Sequence, residues 1–319
     1  MTDTITQART PAAPARPEGF AVLMSVYRGD DPEQFRRAVR SATVDQVLPP
    51  DQLVLVQDGP VPAALAAVVD GLERGGPDSC AGTVPTTVVR QAKNRGLAKS
   101  LEAGLAACRY DIVARADADD INLPERFSIQ VPLVRDGLDL VGSAITEFED
   151  EDQPPGLTRR LPTEAGQIAT VARFRDPFNH PSVVYRRSAV ERAGGYRHLD
   201  LMEDYWLFAR MIASGARVAN VSRSLVLYRV GDGAYARRGG LRLLRSELRL
   251  QRRLHGIGFT SSRDLVRNVV VRGLYRVVPE SVRKPVYRTV IRRRGAGSRR
   301  GTSRRTTTDA RQHSLSGAR

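Results

Sequence analysis

A chain of 319 residues is long enough for one large domain, or for a catalytic domain with an appendage, and can bury a sizeable core. No apolar run approaches the roughly 20 residues of a bilayer-crossing helix, and Cys80 and Cys108 have neither metal nor redox spacing, which points to a reducing cytosol rather than a disulfide framework. The net charge of +15 is uneven: from Arg237 onward 23 Lys and Arg stand against four acids, so the first 236 residues are mildly acidic. This contrast predicts a folded enzyme in front and a segment that meets an anionic surface behind.

Residues 1–19 are rich in Pro, Ala, Thr and Arg, lack the apolar stretch of a secretory signal and read as a disordered lead. The run FAVLMSVY at 20–27 reads as a buried parallel strand. Asp31 and Pro32 read as the N-cap and first residue of a helix with Phe35, Ala38, Val39 and Ala42 inward. A second strand at 53–56 ends in Asp58-Gly59, and an alanine-rich helix at 62–72 follows. A third strand covers 86–89, and a helix from Leu97 to Cys108 turns Leu97, Leu101, Leu105 and Cys108 inward. Strand–helix alternation of this kind predicts an α/β fold with a parallel sheet.

Ile112 and Val113 then run into the segment ARADADDINLPERF, residues 114–127. Three carboxylates in four positions, Asp117, Asp119 and Asp120, repel one another unless a cation sits among them. A hard divalent ion with oxygen ligands is the usual solution. Asp117 and Asp119 are two apart, which on a strand would point both to one side. Further on, 139–148 reads as a strand of mixed polarity, 149–155 as an acidic loop and 183–185 as a short strand. Glu203-Asp204 opens a helix that Gly215 closes, and 218–230 reads as a strand pair or one long strand.

Residues 240–258 predict a basic helix with Leu241, Leu244 and Leu248 on one side, joined by Leu250 and Leu254. Residues 264–291 alternate apolar clusters with Arg and Lys, and 292–319 read as a disordered basic tail. The helices either lie in an anionic membrane interface or pack on the catalytic domain with their arginines solvated. The division is thus a lead to 19, a catalytic domain at 20–236, a basic helical appendage at 237–291 and the tail.

The acidic segment resembles the metal-binding D-x-D stretch of the family 2 glycosyltransferases, and the likeness covers roughly residues 20–236. It implies a GT-A-type, mostly parallel nucleotide-binding sheet flanked by helices. It implies an inverting transfer of a hexose from a nucleoside diphosphate sugar, a UDP-sugar above all, to a glycan or lipid-linked acceptor. Mg²⁺ or Mn²⁺ would sit on Asp119 assisted by Asp117. Ser25 and Tyr27 match the nucleotide-contacting end of the first strand, and Asp58 the acid that receives the uracil N–H. Lys93, Asn94 and Gly96 resemble an N-x-G stretch near the nucleotide sugar, and Arg115, Asp117 and Arg229 join that side. Asp204 resembles the base that deprotonates the acceptor, with Glu203 supporting it, and His180 and Trp206 fall on the acceptor side.

No Walker A pattern, dinucleotide glycine fingerprint, Ser-His-Asp order or zinc-type histidine spacing competes with this reading. Two alternatives remain. A sugar-nucleotide nucleotidyltransferase would want a Gly-rich basic loop after the first strand, where Tyr27-Arg28-Gly29-Asp30-Asp31 stands. A nucleic-acid-binding protein would explain the basic tail, but few aromatics accompany it. The reading places the enzyme in the cytoplasm, on the inner face of the membrane through its basic end.

Overall fold

The computed structural model describes residues 19–230 and 241–277. The expectations for the lead before Gly19 and for everything after Val277 lie outside the described residues.

The first four strands are parallel and form one half of a nine-stranded sheet. They are β1 (Phe20–Val26), β2 (Gln52–Gln57), β3 (Thr86–Arg90) and β4 (Ile112–Arg115), in spatial order β3-β2-β1-β4. Strand alternation divides the side chains between the two faces. Phe20, Val22, Met24 and Val26 pack with helices α1 (Pro32–Ala42), α2 (Ala63–Arg74) and α4 (Arg126–Arg135). Ala21 and Leu23 face α3 (Leu97–Ala107). Asp31 caps α1 as expected, its carboxylate accepting from the N–H groups of Glu33 and Gln34. Leu97 is a correction: at the first turn of α3 it is 36% exposed, while Leu101, Leu105 and Cys108 are buried.

The other half of the sheet is mixed. β8 (Val184–Arg186) runs antiparallel to both β4 and β6 (Leu140–Phe148). β6 pairs parallel with β9 (Val218–Arg229), a single long strand, and β9 pairs antiparallel with β5 (Ile121–Asn122). A short β7 (Thr158–Arg159) pairs with β6. Every residue of β6 is buried, despite its mixed composition. Its polar groups are bonded internally, Thr146 to Ser224 and Glu147 to Arg159, so burial leaves them satisfied.

Helices α5 (Ala165–Ala172), α6 (Arg187–Arg192) and α7 (Glu203–Ala213) follow, and α8 (Leu241–Gly256) packs on α7 through Leu243, Leu250 and Leu254. Of the expected inward leucines, Leu250 and Leu254 are buried, whereas Leu244 and Leu248 are only half-buried and Leu243 takes their place. Glu247 and Gln251 are buried on the same face as Leu243 and Leu250, and α9 (Ser262–Val277) is tied there by Arg272 and Asn268. No helix among the described residues is long and apolar enough to cross a membrane.

Candidate active site

The carboxyl ends of β1, β2 and β4 open on one edge, where an α/β sheet takes its ligands. Val26 lies opposite Gln57, and its carbonyl accepts from the Asp58 N–H at 2.8 Å. Asp58 is 4% exposed, and its two oxygens accept from the N–H groups of Arg95 at 2.6 Å and Gly96 at 3.0 Å. Asn94 donates to the Asp58 carbonyl at 3.3 Å. The Asp58-Gly59 end therefore braces the turn that opens α3. Gly59 has φ +86°, and a Cβ there would stand 2.5 Å from the Asn94 nitrogen, so only glycine fits the approach. Ser25, Tyr27, Asp58, Lys93, Asn94 and Gly96 thus belong to one end of the sheet, with Tyr27 47% exposed.

The acidic residues sit in a turn between β4 and β5, not on a strand, so the alternation argument for Asp117 and Asp119 does not apply. The turn gives each carboxylate its own surroundings. Asp117 has both oxygens engaged, one with Arg115 Nη2 at 3.1 Å and one with His180 Nε2 at 3.1 Å. Burial opposes its ionised form, but these two cations hold it well below the usual carboxylate range. Burial likewise works against a charged His180, and Asp117 outweighs it, keeping the imidazole above its ordinary value. Asp120 is buried; one oxygen accepts from the Arg229 N–H at 2.8 Å and Oδ2 has no partner among the described residues. Asp119 reaches solvent, yet desolvation and the neighbouring Asp117 push it up. Arg229 braces the turn, donating from Nε to the Asp119 carbonyl at 2.9 Å and stacking 4.4 Å over Phe148.

Among the described residues no three His, Cys, Asp or Glu side chains converge as a ligand set. Asp119 is exposed beside Asp117, where its carboxylate could supply a hard oxygen donor to a divalent ion. Asp30, absent from the sequence-based set, joins this group. It accepts from the Tyr27 N–H at 2.8 Å, and burial, reinforced by Asp119 and Asp117, pushes it to about 7.

On the other side, Asp204 lies at the N-terminus of α7, 9% exposed, with Arg115 Nη1 2.5 Å from its Oδ1. The helix dipole favours a carboxylate there. The chain enters α7 through Leu201 at φ 63°, a left-handed conformation unusual for a branched residue. Glu203 is raised by burial and by Asp204. His180 opens the 3₁₀ turn His180–Ser182, pinned to β6 by Ser182 and by Asn179, whose Nδ2 donates to the Ser143 carbonyl at 2.8 Å. That turn brings His180 to Asp117, so it bridges toward the acidic segment from the acceptor side.

Two expected contacts are corrected by burial. Arg115 is 1% exposed and is enclosed between Asp117 and Asp204, out of reach of a nucleotide. Trp206 is 3% exposed, packed among Met202, Leu243, Leu250 and Leu254 between α7 and α8, with Arg210 and Arg253 over its ring. It is a packing residue and cannot meet an acceptor. Asp176 was missed: burial pushes it to about 7 in the neighbourhood of Asp204, His180 and Arg272. Its sequence context, a lone Asp before Pro177 in a loop, carries no signal of this.

A profile described as "Glycosyl transferase family 2" matches residues 21–194. The chain is 35% identical over 270 residues to the amylovoran biosynthesis glycosyltransferase AmsE of Erwinia amylovora, covering 84% of this chain and 97% of that one. It is 32% identical over 276 residues to the UDP-Gal:alpha-D-GlcNAc-diphosphoundecaprenol beta-1,3-galactosyltransferase of Escherichia coli, covering 86% and 97%. Among solved structures, the Pyrobaculum calidifontis mannosyltransferase PcManGT in complex with GDP-Man and Mn2+ superposes with a TM-score of 0.58 at 16% identity, over 92% of this chain and 80% of that one. TarS 1-349 of S. aureus in complex with UDP-GlcNAc gives 0.57 at 13% identity, over 81% and 72%. These structural likenesses support the GT-A fold. With a family-wide match over more than half of its length, and relatives aligned along nearly their whole chains, the protein belongs to the family 2 glycosyltransferases.

Proposed function

We propose that this glycosyltransferase moves a hexose from a UDP-sugar, with inversion, to a lipid-linked or glycan acceptor in cell-surface polysaccharide synthesis. The observation that carries the reading is the meeting of two distant segments. The acidic turn after β4 and the N-terminus of α7 share one buried cation, Arg115. Donor and acceptor chemistry need two carboxylate centres side by side. Asp204 would take the acceptor hydroxyl proton as its oxygen attacks the anomeric carbon, in a site that partly excludes water. Glu203 lies next to it. The β1 and β2 ends and the 93–96 turn would hold the nucleotide.

A divalent ion, Mg²⁺ or Mn²⁺, would be held by Asp119 with Asp117 behind it, and would supply charge neutralisation on the leaving diphosphate. The UDP-sugar and lipid-linked acceptor follow the printed name of the E. coli relative, and the metal follows the Mn2+ of the mannosyltransferase complex. A thermal-shift screen of UDP- and GDP-sugars, with and without Mn²⁺, tests the reading, because the right donor raises the melting temperature by mass action. A metal-dependent shift with a UDP-sugar supports it; a shift with GDP-sugars alone, or none with any, refutes the donor assignment.

The membrane contact is proposed for the outward faces of the two last helices. Val266, Val270 and Val271 of α9 are 63%, 51% and 49% exposed, near Arg263 and Arg267, and Arg245, Arg249 and Arg252 line the exposed side of α8. Apolar groups beside arginines suit an anionic leaflet. Co-sedimentation of the protein with vesicles of graded anionic lipid content tests this; pelleting that ignores lipid charge and salt would refute it.

A further inference from the structure

Among the described residues, the Arg115 guanidinium contacts a carboxylate on each side of the site, and it is itself buried. Its Nη2 holds Asp117 and its Nη1 holds Asp204, at 3.1 and 2.5 Å, with the residue 1% exposed. Its backbone is pinned on several sides. The Arg115 N–H donates to the Val183 carbonyl at 2.9 Å, and the Arg115 carbonyl accepts from Arg126 Nη2 at 2.7 Å. The next residue, Ala116, donates its N–H to Leu23 at 3.0 Å. Arg126 is itself fully buried, so the anchor is rigid. Beyond Asp117 the chain of ion pairs continues to His180.

We propose that Arg115 is a positioning residue for transfer, holding the Asp204 carboxylate in fixed relation to Asp117. The inference rests on the reading of Asp204 as the base. A planar fork with separate nitrogens can hold two carboxylates at once, whereas a lysine is a single point charge and must choose. A buried arginine kept only to neutralise carboxylates would give a different pattern on substitution. It would matter for stability and for nucleotide binding alike. A positioning arginine matters for turnover through Asp204.

The experiment is a cycle of Arg115→Lys, Asp204→Asn and the double variant, with Arg115→Gln beside it. Nucleotide affinity is read by calorimetry with UDP and Mn²⁺. Turnover is read as UDP released from the UDP-sugar of largest thermal shift, with a synthetic GlcNAc-diphosphate-lipid as acceptor. Arg115→Lys is expected to lower kcat about 100-fold, the scale of a misplaced reacting group, with donor KM and UDP affinity little changed. In the Asp204→Asn background the same substitution adds little, because its effect runs through the group already lost.

Additive losses in the cycle, or equal losses in UDP affinity and kcat, would each overturn the proposal while leaving the base assignment standing. If Arg115→Lys does not fold, Arg115→Gln takes its place in the cycle and the same outcomes decide. Wild-type turnover in Asp204→Asn, or no UDP release by the wild-type protein from any UDP-sugar, would overturn the base reading and this inference together.

Discussion

Replacing Arg272 by Met should unlock the C-terminal helices from the catalytic domain. Glu247 is wholly buried in α8, and Arg272 of α9 meets it in a two-pronged pair, Nε to Oε1 at 2.7 Å and Nη2 to Oε2 at 2.9 Å. Gln251 adds one hydrogen bond to the same carboxylate at 2.9 Å. Asn268 links Gln251 to the Arg173 carbonyl, 2.8 and 2.7 Å away, which fastens α9 to the loop after α5. Arg272→Met removes both guanidinium bonds from a buried carboxylate. Stranding one member of a buried pair costs about 3–5 kcal/mol. For a chain of this size that lowers the melting temperature by about 10 °C. Glu247→Gln in the same chain removes the stranded charge and keeps an oxygen for Gln251, so the double variant should recover most of the loss. Thermal and urea melts of the wild type, both single variants and the double variant measure this. A loss under about 0.5 kcal/mol in Arg272→Met, the range of an ordinary surface change, would refute the reasoning.

Three further outcomes follow from the same geometry. Asp119→Asn should abolish Mn²⁺-dependent UDP binding and transfer while melting like the wild type, since Asp119 reaches solvent; retained metal-dependent binding would move the ion elsewhere. Gly59→Ala should weaken UDP binding and lower stability by about 1 kcal/mol or more, because φ +86° and the approach to Asn94 both resist a Cβ; calorimetry and melting curves check both. Asp176 should make stability fall as pH rises: burial lifts its folded pKa from 3.8 to about 7, so the folded state binds more protons across that window, and the loss levels off above it. Asp176→Asn should flatten that slope in melts taken between those pH values, and an unchanged slope would contradict the assignment.

The order of strands and helices up to β4 was legible because β1 and the core of β2 are apolar runs and α1 has a marked start at Asp31-Pro32. The mixed half of the sheet was less so. β5 and β7 are two residues each, and α4 carries Pro132 inside it, which argues against a helix in isolation. β9 was legible in extent, but its two partners could not be read from one strand. The inward face of α8 was misread because its buried positions include Glu247 and Gln251, which only a tertiary partner on α9 can satisfy. In the site, the residue types were legible and their surroundings were not. Arg115 and Asp204 are separated by most of the second half of the sheet, so nothing local marks Arg115 as enclosed. Trp206 fell on the acceptor side by resemblance, and its burial depends on a helix that begins far downstream. Asp30 lies only three residues from Tyr27 but in a turn of common type, without a pattern that separates it from a solvated loop acid.

The most direct test of the account is the rate of UDP release from a UDP-sugar in the presence of acceptor, for wild type and Asp204→Asn, alongside their affinity for UDP. Asp204 meets the acidic turn through Arg115, which also pairs with Asp117. The account predicts that Asp204→Asn binds UDP with Mn²⁺ as the wild type does and loses about 10²–10⁴-fold in acceptor-dependent turnover, the scale of a general base. Acceptor-dependent turnover near the wild-type rate in Asp204→Asn would contradict it.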